Sequence, residues 1–277
     1  MTTTATKPAP LRLGIAGITG RLGHLIAQEA LKPHSGFTLA GGLTRHPEQA
    51  KGLVPEGTLL TNNPHDLAQS CDVLVDVSHH AQTIPLAEAL MAVRQAGHKV
   101  SWVLGTTGLG GQEQAALQSA AQGLPVLVAA NFSPALTALL TLARQLGATL
   151  PAEDYDAEIM EIHHRHKKDA PSGTALAIGH AVAEGRGVDF EQAKRIDQNS
   201  PRTDHKGAIG FASMRGGAVV GLHDLRFLGD DEEITLSHRA LDRRVFARGA
   251  LLAARWLGAP GRASGLYGMA DALGLKW

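Results

Sequence analysis

Hydrophobic residues in the first half of the chain recur in short runs that alternate with stretches of helical spacing. The first run, at 11–15, leads into a glycine-rich turn and then into apolar positions three or four residues apart up to Leu31. The alternation continues with apolar runs at 37–43, 72–77, 99–104 and 125–130 and helical patterns at 84–96 and 112–122. Because buried parallel strands are continuously apolar and helices connect them, this pattern predicts an α/β domain with a Rossmann-like parallel sheet.

Beyond Ala135 the hydrophobic pattern becomes less regular. Helical patterns occur at 136–146 and 246–257, and a further helix is predicted to start near 171–174. Between the first and the last of these helices, strand patterns occur at 156–162, 207–212, 218–227 and 233–238. Strands joined by long, irregular connections predict an α+β domain with a mixed sheet. We expect the last helix to pack on the first domain.

Composition narrows the class of protein. The 277 residues are 44% hydrophobic and 19% charged, which is typical of a folded globular chain. The 26 Lys and Arg balance 26 Asp and Glu, so bulk attraction to nucleic acid or to a membrane surface is not expected. A single cysteine, Cys71, and a polar segment at 1–10, which we expect to be a disordered tail, favour a cytoplasmic protein.

The turn after the first strand carries glycines at three-residue spacing, Gly17, Gly20 and Gly23. Small residues let a backbone approach a pyrophosphate closely, and the following helix supplies free amides and a positive dipole. The alternative is a tight turn that only packs helix on strand. With the surrounding sheet pattern, dinucleotide binding is the favoured interpretation.

The second predicted strand ends at Thr44 and Arg45. An acidic residue at this place would bind the ribose of NAD, whereas a hydroxyl and a guanidinium suit a 2′-phosphate. We therefore expect NADPH to be used at least as well as NADH. The alternative is that Arg45 is a solvated surface residue.

Six consecutive residues at 163–168 can carry positive charge, and Pro171-Ser172-Gly173-Thr174 then opens a helix. A helix start with free amides and hydroxyls is an anion site, and Lys167 beside it could hold a carboxylate. Neighbouring cations are also expected to lower the pKa of these histidines, which favours acid/base chemistry near neutral pH.

Other interpretations of the basic segment are weaker. A nucleic-acid patch is disfavoured by the neutral chain and the lack of interleaved aromatic residues. Three histidines within four residues could ligate a metal, but Lys167 would repel it, so we predict no metal. Helix capping by Asp169 or Ser172 is compatible with a functional site.

The segment 161–175, EIHHRHKKDAPSGTA, resembles the signature of the 4-hydroxy-tetrahydrodipicolinate reductase (dihydrodipicolinate reductase) family of bacterial lysine biosynthesis. The likeness extends over about residues 11–275. It includes the glycine turn, GTTG at 105–108, AANFS at 129–133, GAIGFA at 207–212, RGG at 215–217 and SHRA at 237–240.

The resemblance implies an enzyme that uses NADPH or NADH to reduce 4-hydroxy-2,3,4,5-tetrahydrodipicolinate, a cyclic dicarboxylate, to tetrahydrodipicolinate with loss of water. It implies a cytoplasmic homotetramer that serves lysine and diaminopimelate biosynthesis. It also implies a dinucleotide-binding domain built from both chain ends, 1–133 and 245–277, around a substrate-binding and oligomerisation domain at 134–244.

The resemblance assigns roles residue by residue. It makes His163 the general acid/base and Lys167 a proton donor. It places the substrate carboxylates on His164, Lys167, Ser172, Gly173 and Thr174. In addition to Thr44, it implies a cofactor site formed by Gly17, Ile18, Thr19, Gly20, Arg21, Leu22, Arg45, Gly105, Thr106, Thr107, Ala129, Ala130, Asn131 and Phe132.

Three segments depart from the family pattern. Thr44 replaces a frequent acidic ribose ligand, Val77-Ser78-His79 replaces a Phe-Thr-Arg/Ser type of sequence, and Pro134-Ala135 replaces a common x-Gly pair. Two other functions stay open: a different NAD(P)-dependent oxidoreductase on the same scaffold, and a non-catalytic protein that senses NADPH.

Overall fold

The structure, a computed structural model, describes residues 9–196 and 207–275. The described chain divides into two compact units. One comprises the residues up to Phe132 together with Arg244–Gly274, and the other comprises Ser133–Arg243 with Leu275. The first eight residues of the expected tail lie outside the described residues. None of the helices in the described ranges has the length and hydropathy needed to cross a bilayer.

The first unit begins with six strands and four helices in alternation. The strands are β1 (Leu11–Ala16), β2 (Phe37–Leu43), β3 (Leu59–Thr61), β4 (Val73–Asp76), β5 (Ser101–Leu104) and β6 (Pro125–Val128). The helices are α1 (Arg21–Ala30), α2 (Pro64–Ser70), α3 (Thr83–Gln95) and α4 (Gly111–Gly123). Single 3-10 turns lie at Pro47–Ala50 and His80–Gln82.

In the part of the second unit that the structure describes, there are five strands and three helices. The helices are α5 (Pro134–Thr149), α6 (Gly173–Arg186) and α7 (Phe190–Ala193). The strands are β7 (Asp156–His163), β8 (Lys194–Arg195), β9 (Ile209–Arg215), β10 (Gly221–Leu228) and β11 (Glu233–Ala240). The chain then returns to the first unit with α8 (Arg244–Leu257), β12 (Gly265–Gly268) and α9 (Met269–Ala272).

The sheet of the first unit has seven strands in the order β12-β6-β5-β4-β1-β2-β3, and all of its pairs are parallel. Successive side chains of a strand point to opposite faces, so β4 buries Val73 and Val75 on one face and Leu74 on the other. The first face packs against α1 and α8, and the second packs against α2, α3 and α4. The predicted Rossmann-like sheet is confirmed.

The sheet of the second unit is mixed, with the order β11-β10-β7-β9-β8. Strand β10 runs antiparallel to both β7 and β11, whereas β7, β9 and β8 are parallel. Apolar residues of α5 and α6 cover one face of this sheet. Glu161 and His163 are two residues apart on β7 and therefore lie on that same covered face, where both are buried.

The sequence pattern missed the short elements. It predicted five strands for the first sheet, whereas β3 and β12 bring the number to seven. Strand β3 has three residues, and β12 reads Gly-Leu-Tyr-Gly, so neither forms the continuous apolar run that marks a buried strand. The helix predicted from residue 136 begins at Pro134, because proline lacks an amide hydrogen and fits the first turn of a helix.

Candidate active site

The glycine turn is fixed between β1, β2 and β4. Gly17 has a φ of +82°, a conformation that favours glycine, and its amide donates to the Leu43 carbonyl at 3.0 Å. A Cβ added to Gly23 would lie 2.2 Å from the Gly17 carbonyl oxygen. Position 17 therefore requires glycine for its backbone conformation, and position 23 requires it for the close contact of α1 with the turn.

A cavity of about 580 Å³ opens beside this turn at the carboxyl ends of β1, β2 and β4. Its lining comprises Gly17, Thr19, Gly20, Leu43, Thr44, Arg45, Asn62, Val77, Ser78, His79, Ala81 and Gln82. The N-cap residue of α1 is Gly20, which has no side chain that could accept hydrogen bonds from the first amides of this helix. An uncapped helix start in a glycine-walled cavity fits the pyrophosphate of a dinucleotide.

The end of β2 contributes the polar side of the cavity. The hydroxyls of Thr19 and Thr44 lie 3.3 Å apart, and the Thr44 hydroxyl also accepts from the His46 amide at 3.4 Å. Arg45 is exposed at the cavity wall. The hydroxyls and the guanidinium thus lie together where the ribose of a dinucleotide binds in sheets of this type.

Asp76, at the end of β4, ties two loops of the first unit together. One oxygen of its buried carboxyl group accepts from the Ser78 amide at 2.9 Å, the Ser78 hydroxyl at 2.6 Å and the Thr106 hydroxyl at 3.0 Å. Burial raises the pKa of Asp76, and these hydrogen bonds only partly oppose that effect. Asp76, Ser78 and His79 were not among the predicted site residues, although a strand end in a parallel sheet was the signal available.

The predicted cofactor residues separate into two groups. Gly17, Thr19, Gly20, Thr44 and Arg45 line the cavity. The remaining predicted positions are not part of its lining: Ile18, Arg21, Leu22, Gly105, Thr106, Thr107, Ala129, Ala130, Asn131 and Phe132. The Ile18 side chain is buried in the core, and the Phe132 ring packs so closely on Gly105 that an added Cβ would lie 2.4 Å away.

In the second unit, the carboxylate of Glu161 is the centre of a buried polar cluster. It accepts from the Arg215 guanidinium at 2.8 and 2.9 Å, from His163 Nδ1 at 2.5 Å and from the Ser172 amide at 3.3 Å. Burial opposes ionisation, but the hydrogen bonds from Arg215 and His163 outweigh it and lower the pKa of Glu161. Glu161 is therefore a carboxylate near neutral pH.

A second histidine, His223, lies next to this cluster. Its Nε2 is 3.0 Å from the Ser172 hydroxyl, and its ring meets the His163 ring edge-on with 5.0 Å between centroids. Burial, followed by the charge of His163, lowers the pKa of His223 from 6.5 to about 4. His223 is therefore neutral near pH 7, and its buried Nδ1 has no hydrogen-bond partner among the described residues.

The helix start behind the basic segment forms as predicted. Ser172 caps α6 and accepts from the Ala175 amide at 3.1 Å, which leaves Gly173 exposed and Thr174 partly exposed in the first turn. Lys167 is partly buried and pairs with Asp169 at 2.9 Å.

His164 and Lys167 form the open side of the cluster. Burial lowers the pKa of His164, and the charges of Arg243, His166 and Lys167 lower it further. The Lys167 amide donates to the His164 carbonyl at 3.1 Å, so the two residues share one turn. The basic segment thus surrounds a small polar site instead of forming one uniform face.

Glu161, His163 and His223 also have the spacing of a metal site, since one ligand atom of each lies within 4.8 Å of the others. Arg215 occupies both oxygens of the Glu161 carboxylate, however. A divalent cation bound there would displace this guanidinium or lie beside it. The donor set therefore fits a hydrogen-bonded acid/base site better than a metal centre.

The structure brings together His163 and Ser172 through Glu161, and Lys167 and His164 lie at the edge of the same cluster. Sequence reasoning missed Glu161, Arg215 and His223 as site residues. The pairing of β10 with β7 places His223 opposite Glu161, and β9 runs beside β7 so that Arg215 pairs with His163. A contact set by strand register leaves no local signal in the sequence.

The fold and these two sites define a dinucleotide-binding oxidoreductase with a Rossmann-like domain. Family profiles described as dihydrodipicolinate reductase, N-terminus and C-terminus, match residues 11–132 and 135–273. The chain belongs to the dihydrodipicolinate reductase family.

Individual relatives agree with this membership. The chain is 63% identical to the 4-hydroxy-tetrahydrodipicolinate reductase of Gluconobacter oxydans (strain 621H), with 95% of this chain and 96% of that protein covered. It is 49% identical to the enzyme of the same name from Acidiphilium cryptum (strain JF-5), with 96% and 99% covered.

Among solved structures, the chain is similar to the dipicolinate-bound dihydrodipicolinate reductase from Paenisporosarcina sp. TG-14, with a TM-score of 0.75. The two chains are 22% identical, and 95% of this chain and 98% of that chain are covered. An apo scyllo-inositol dehydrogenase from Lactobacillus casei gives a TM-score of 0.56 at 15% identity, with 96% and 95% covered. These two likenesses concern the fold.

Proposed function

We propose that this protein reduces 4-hydroxy-tetrahydrodipicolinate to tetrahydrodipicolinate with NADPH or NADH, as a step of lysine and diaminopimelate biosynthesis. The observation that carries the proposal is the buried Glu161–His163 pair beside the capped start of α6, within a cationic segment. The relatives named 4-hydroxy-tetrahydrodipicolinate reductase support it, since they align over nearly the whole chain.

The cavity beside the glycine turn is the proposed cofactor site. The uncapped first turn of α1 would hold the pyrophosphate, and Thr19, Thr44 and Arg45 would hold the adenosine ribose and its 2′-phosphate. When bound, the nicotinamide supplies a hydride, which carries the two electrons of the reduction. Asp76 would hold the Ser78 and Thr106 loops in place, so that the GTTG and AANFS segments can contact the nicotinamide end.

The substrate would bind in the second unit. A dicarboxylate needs two anion sites, and the first turn of α6 with Ser172, Gly173 and Thr174 offers one. His164 and Lys167 offer the second through charge and hydrogen bonds. The solved relative with bound dipicolinate, also a cyclic dicarboxylate, supports a ligand of this shape.

The chain's own part in the reaction is to orient the substrate and to move protons. One hydride and one net proton enter, the 4-hydroxyl leaves as water, and the ring is reduced by two electrons. His163 would act as the acid/base through Nε2, because its Nδ1 is bonded to Glu161. Lys167, an ammonium at the edge of the cluster, would donate the proton that completes the reduced ring.

We infer that NADPH is used at least as well as NADH, since a hydroxyl and a guanidinium stand at the ribose position. We also propose a cytoplasmic homotetramer assembled through the second unit. The sheet face opposite to Glu161 carries Ile162, Leu222 and Met214 side by side, and Met214 is 54% exposed. Such a row of apolar side chains fits an interface between copies of the chain.

A coupled assay tests the proposed function. Dihydrodipicolinate synthase, pyruvate and aspartate semialdehyde generate the substrate, and NADPH consumption is followed by absorbance. The protein is expected to consume NADPH only when all three are present. Binding of NADPH without turnover would indicate a sensor, and turnover with other substrates alone would indicate a different oxidoreductase.

Two variants test the residue roles. His163→Gln and Lys167→Ala are each expected to lower kcat by about 10²–10⁴-fold, the contribution of a well-placed acid or base, while NADPH still binds. Lys168→Ala is the matched control, because Lys168 is an exposed neighbour within the same cationic segment. Near-normal turnover in both site variants would refute the assigned roles.

A further inference from the structure

The Glu161 carboxylate is enclosed on every side by hydrogen-bond donors. Its Oε1 accepts hydrogen bonds from the Arg215 guanidinium at 2.8 Å and from the Ser172 amide at 3.3 Å. Its Oε2 accepts from the Arg215 guanidinium at 2.9 Å and from His163 Nδ1 at 2.5 Å. The side chain is fully buried, with a relative exposure of 0%. The two-pronged contact with Arg215 fixes the plane of the carboxylate and balances its charge.

This arrangement decides which nitrogen of His163 carries the proton. A carboxylate can only accept a hydrogen bond, so Nδ1 of His163 must be the donor. In the neutral imidazole the lone pair is then on Nε2. Nε2 lies on the side of the ring next to Gly221, where an added Cβ would be 3.1 Å away, and it has no hydrogen-bond partner within the described ranges.

Glu161 itself is unsuited to proton transfer with a ligand. Its four acceptor positions are all used, and the group has no exposed surface through which it could reach a substrate. Glycine at 221 leaves the space beside Nε2 open, and His223 lies on the neighbouring edge of the ring. The geometry therefore separates a fully enclosed orienting group from an imidazole whose side chain keeps 10% of its surface exposed.

We propose that Glu161, clamped by Arg215 and the Ser172 amide, is a positioning residue that holds His163 as the Nδ1–H tautomer with Nε2 as its acid/base atom. The proposal deepens the proposed function and rests on it, because it explains how the acid/base is prepared for the reduction.

The tautomer is tested directly by ¹⁵N NMR of the full-length protein labelled at histidine. The His163→Gln variant identifies the signals of His163 by their loss. At about pH 9, above the ordinary titration range of histidine, the proton is expected on Nδ1 in the wild type. In Glu161→Gln, whose amide can donate or accept, a mixture of the two tautomers is expected. A proton found on Nε2 in the wild type would overturn the proposal, whatever the activity.

Kinetics separate positioning from a merely structural role. Glu161→Gln is expected to lower kcat by at least about tenfold, with little change in KM for NADPH. If Glu161 acts through His163, adding Glu161→Gln to His163→Gln should lower kcat by no more than about threefold further. Losses that multiply would contradict the proposal, because they would show two independent effects.

Matched variants complete the design. Glu153→Gln makes the same chemical change at an exposed turn of the second unit, away from the cluster and from the proposed interface, and it is expected to leave both the tautomer and kcat unchanged. If Glu161→Gln does not fold, Arg215→Lys takes its place, since it keeps the charge and removes the two-pronged contact. Arg215→Lys is also expected to give a mixture of the two tautomers. An unchanged tautomer together with an unchanged kcat would contradict the proposed role of the Arg215 contact in holding Glu161.

The outcomes also distinguish this proposal from the proposed function. Full turnover in His163→Gln would refute the role of His163 in the reaction, whereas the NMR result would stand by itself. Loss of turnover in His163→Gln, together with normal turnover and an unchanged tautomer in Glu161→Gln, would refute only the positioning role.

Discussion

Replacing Gly23 by alanine tests the coupling between the glycine turn and cofactor binding. The added Cβ would lie 2.2 Å from the Gly17 carbonyl oxygen and 3.0 Å from the Ile18 Cα, whereas ordinary contacts begin at 3.4 Å. The turn must therefore move by about 1 Å away from α1. Overpacking costs about 1–3 kcal/mol, and the better helix propensity of alanine recovers up to about 1 kcal/mol.

The net destabilisation of about 0–3 kcal/mol should lower the Tm of the first unit by no more than about 12 °C. The effect on the cofactor should be larger. A shifted turn loses one or two hydrogen bonds to the pyrophosphate, each worth about 1.5–3 kcal/mol, so the Kd for NADPH should rise at least about tenfold.

Titration of NADPH fluorescence, with thermal unfolding measured in parallel, checks this expectation. Gly111→Ala is the control, because Gly111 is the first residue of α4 and an added Cβ there meets nothing within 4 Å. A Gly23→Ala protein that binds NADPH as tightly as Gly111→Ala would refute the placement of the pyrophosphate at this turn.

Three further changes have defined outcomes. Arg45→Ala should lower kcat/KM for NADPH by about 10–100-fold and leave that for NADH nearly unchanged in steady-state assays, since only the 2′-phosphate loses its partner. The pKa of His223 is about 4 in the folded protein and 6.5 in the free group. Between these values the unfolded state binds more protons than the folded state, so the free energy of unfolding falls as the pH drops from 6.5 towards 4. In urea unfolding, His223→Gln should remove up to about 3 kcal/mol of this loss. Ser172→Ala removes the cap of α6 and should cost about 1 kcal/mol in the same unfolding experiment.

Much of the fold could be predicted from the sequence because its main elements carry strong local patterns. Strand β2 has the predicted bounds, and the helix after Ser172 begins where hydroxyl and glycine residues indicate a cap. The short strands β3 and β12 could not be found, because their stability comes from pairing with a neighbouring strand and not from their own composition.

The site was predictable where function depends on local sequence. The glycine turn and Arg45 line one cavity, as the spacing of glycines and the strand end suggest. The Glu161–Arg215 pair was not predictable, since the two residues are 54 positions apart and meet only through the register of β7 and β9. Sequence patterns report which face a residue occupies, but they do not report its partner across a sheet.

The path of the chain through the two units has a consequence for synthesis. The second unit is continuous from Ser133 to Arg243, whereas the first unit needs α8 for its core and β12 for the edge of its sheet beside β6. During translation the second unit can therefore fold as soon as residue 243 has left the ribosome, while the sheet that precedes it in sequence waits for residue 268. The nascent first unit exposes the free edge of β6 and the apolar face later covered by α8 throughout that interval, and both surfaces favour aggregation until they are covered.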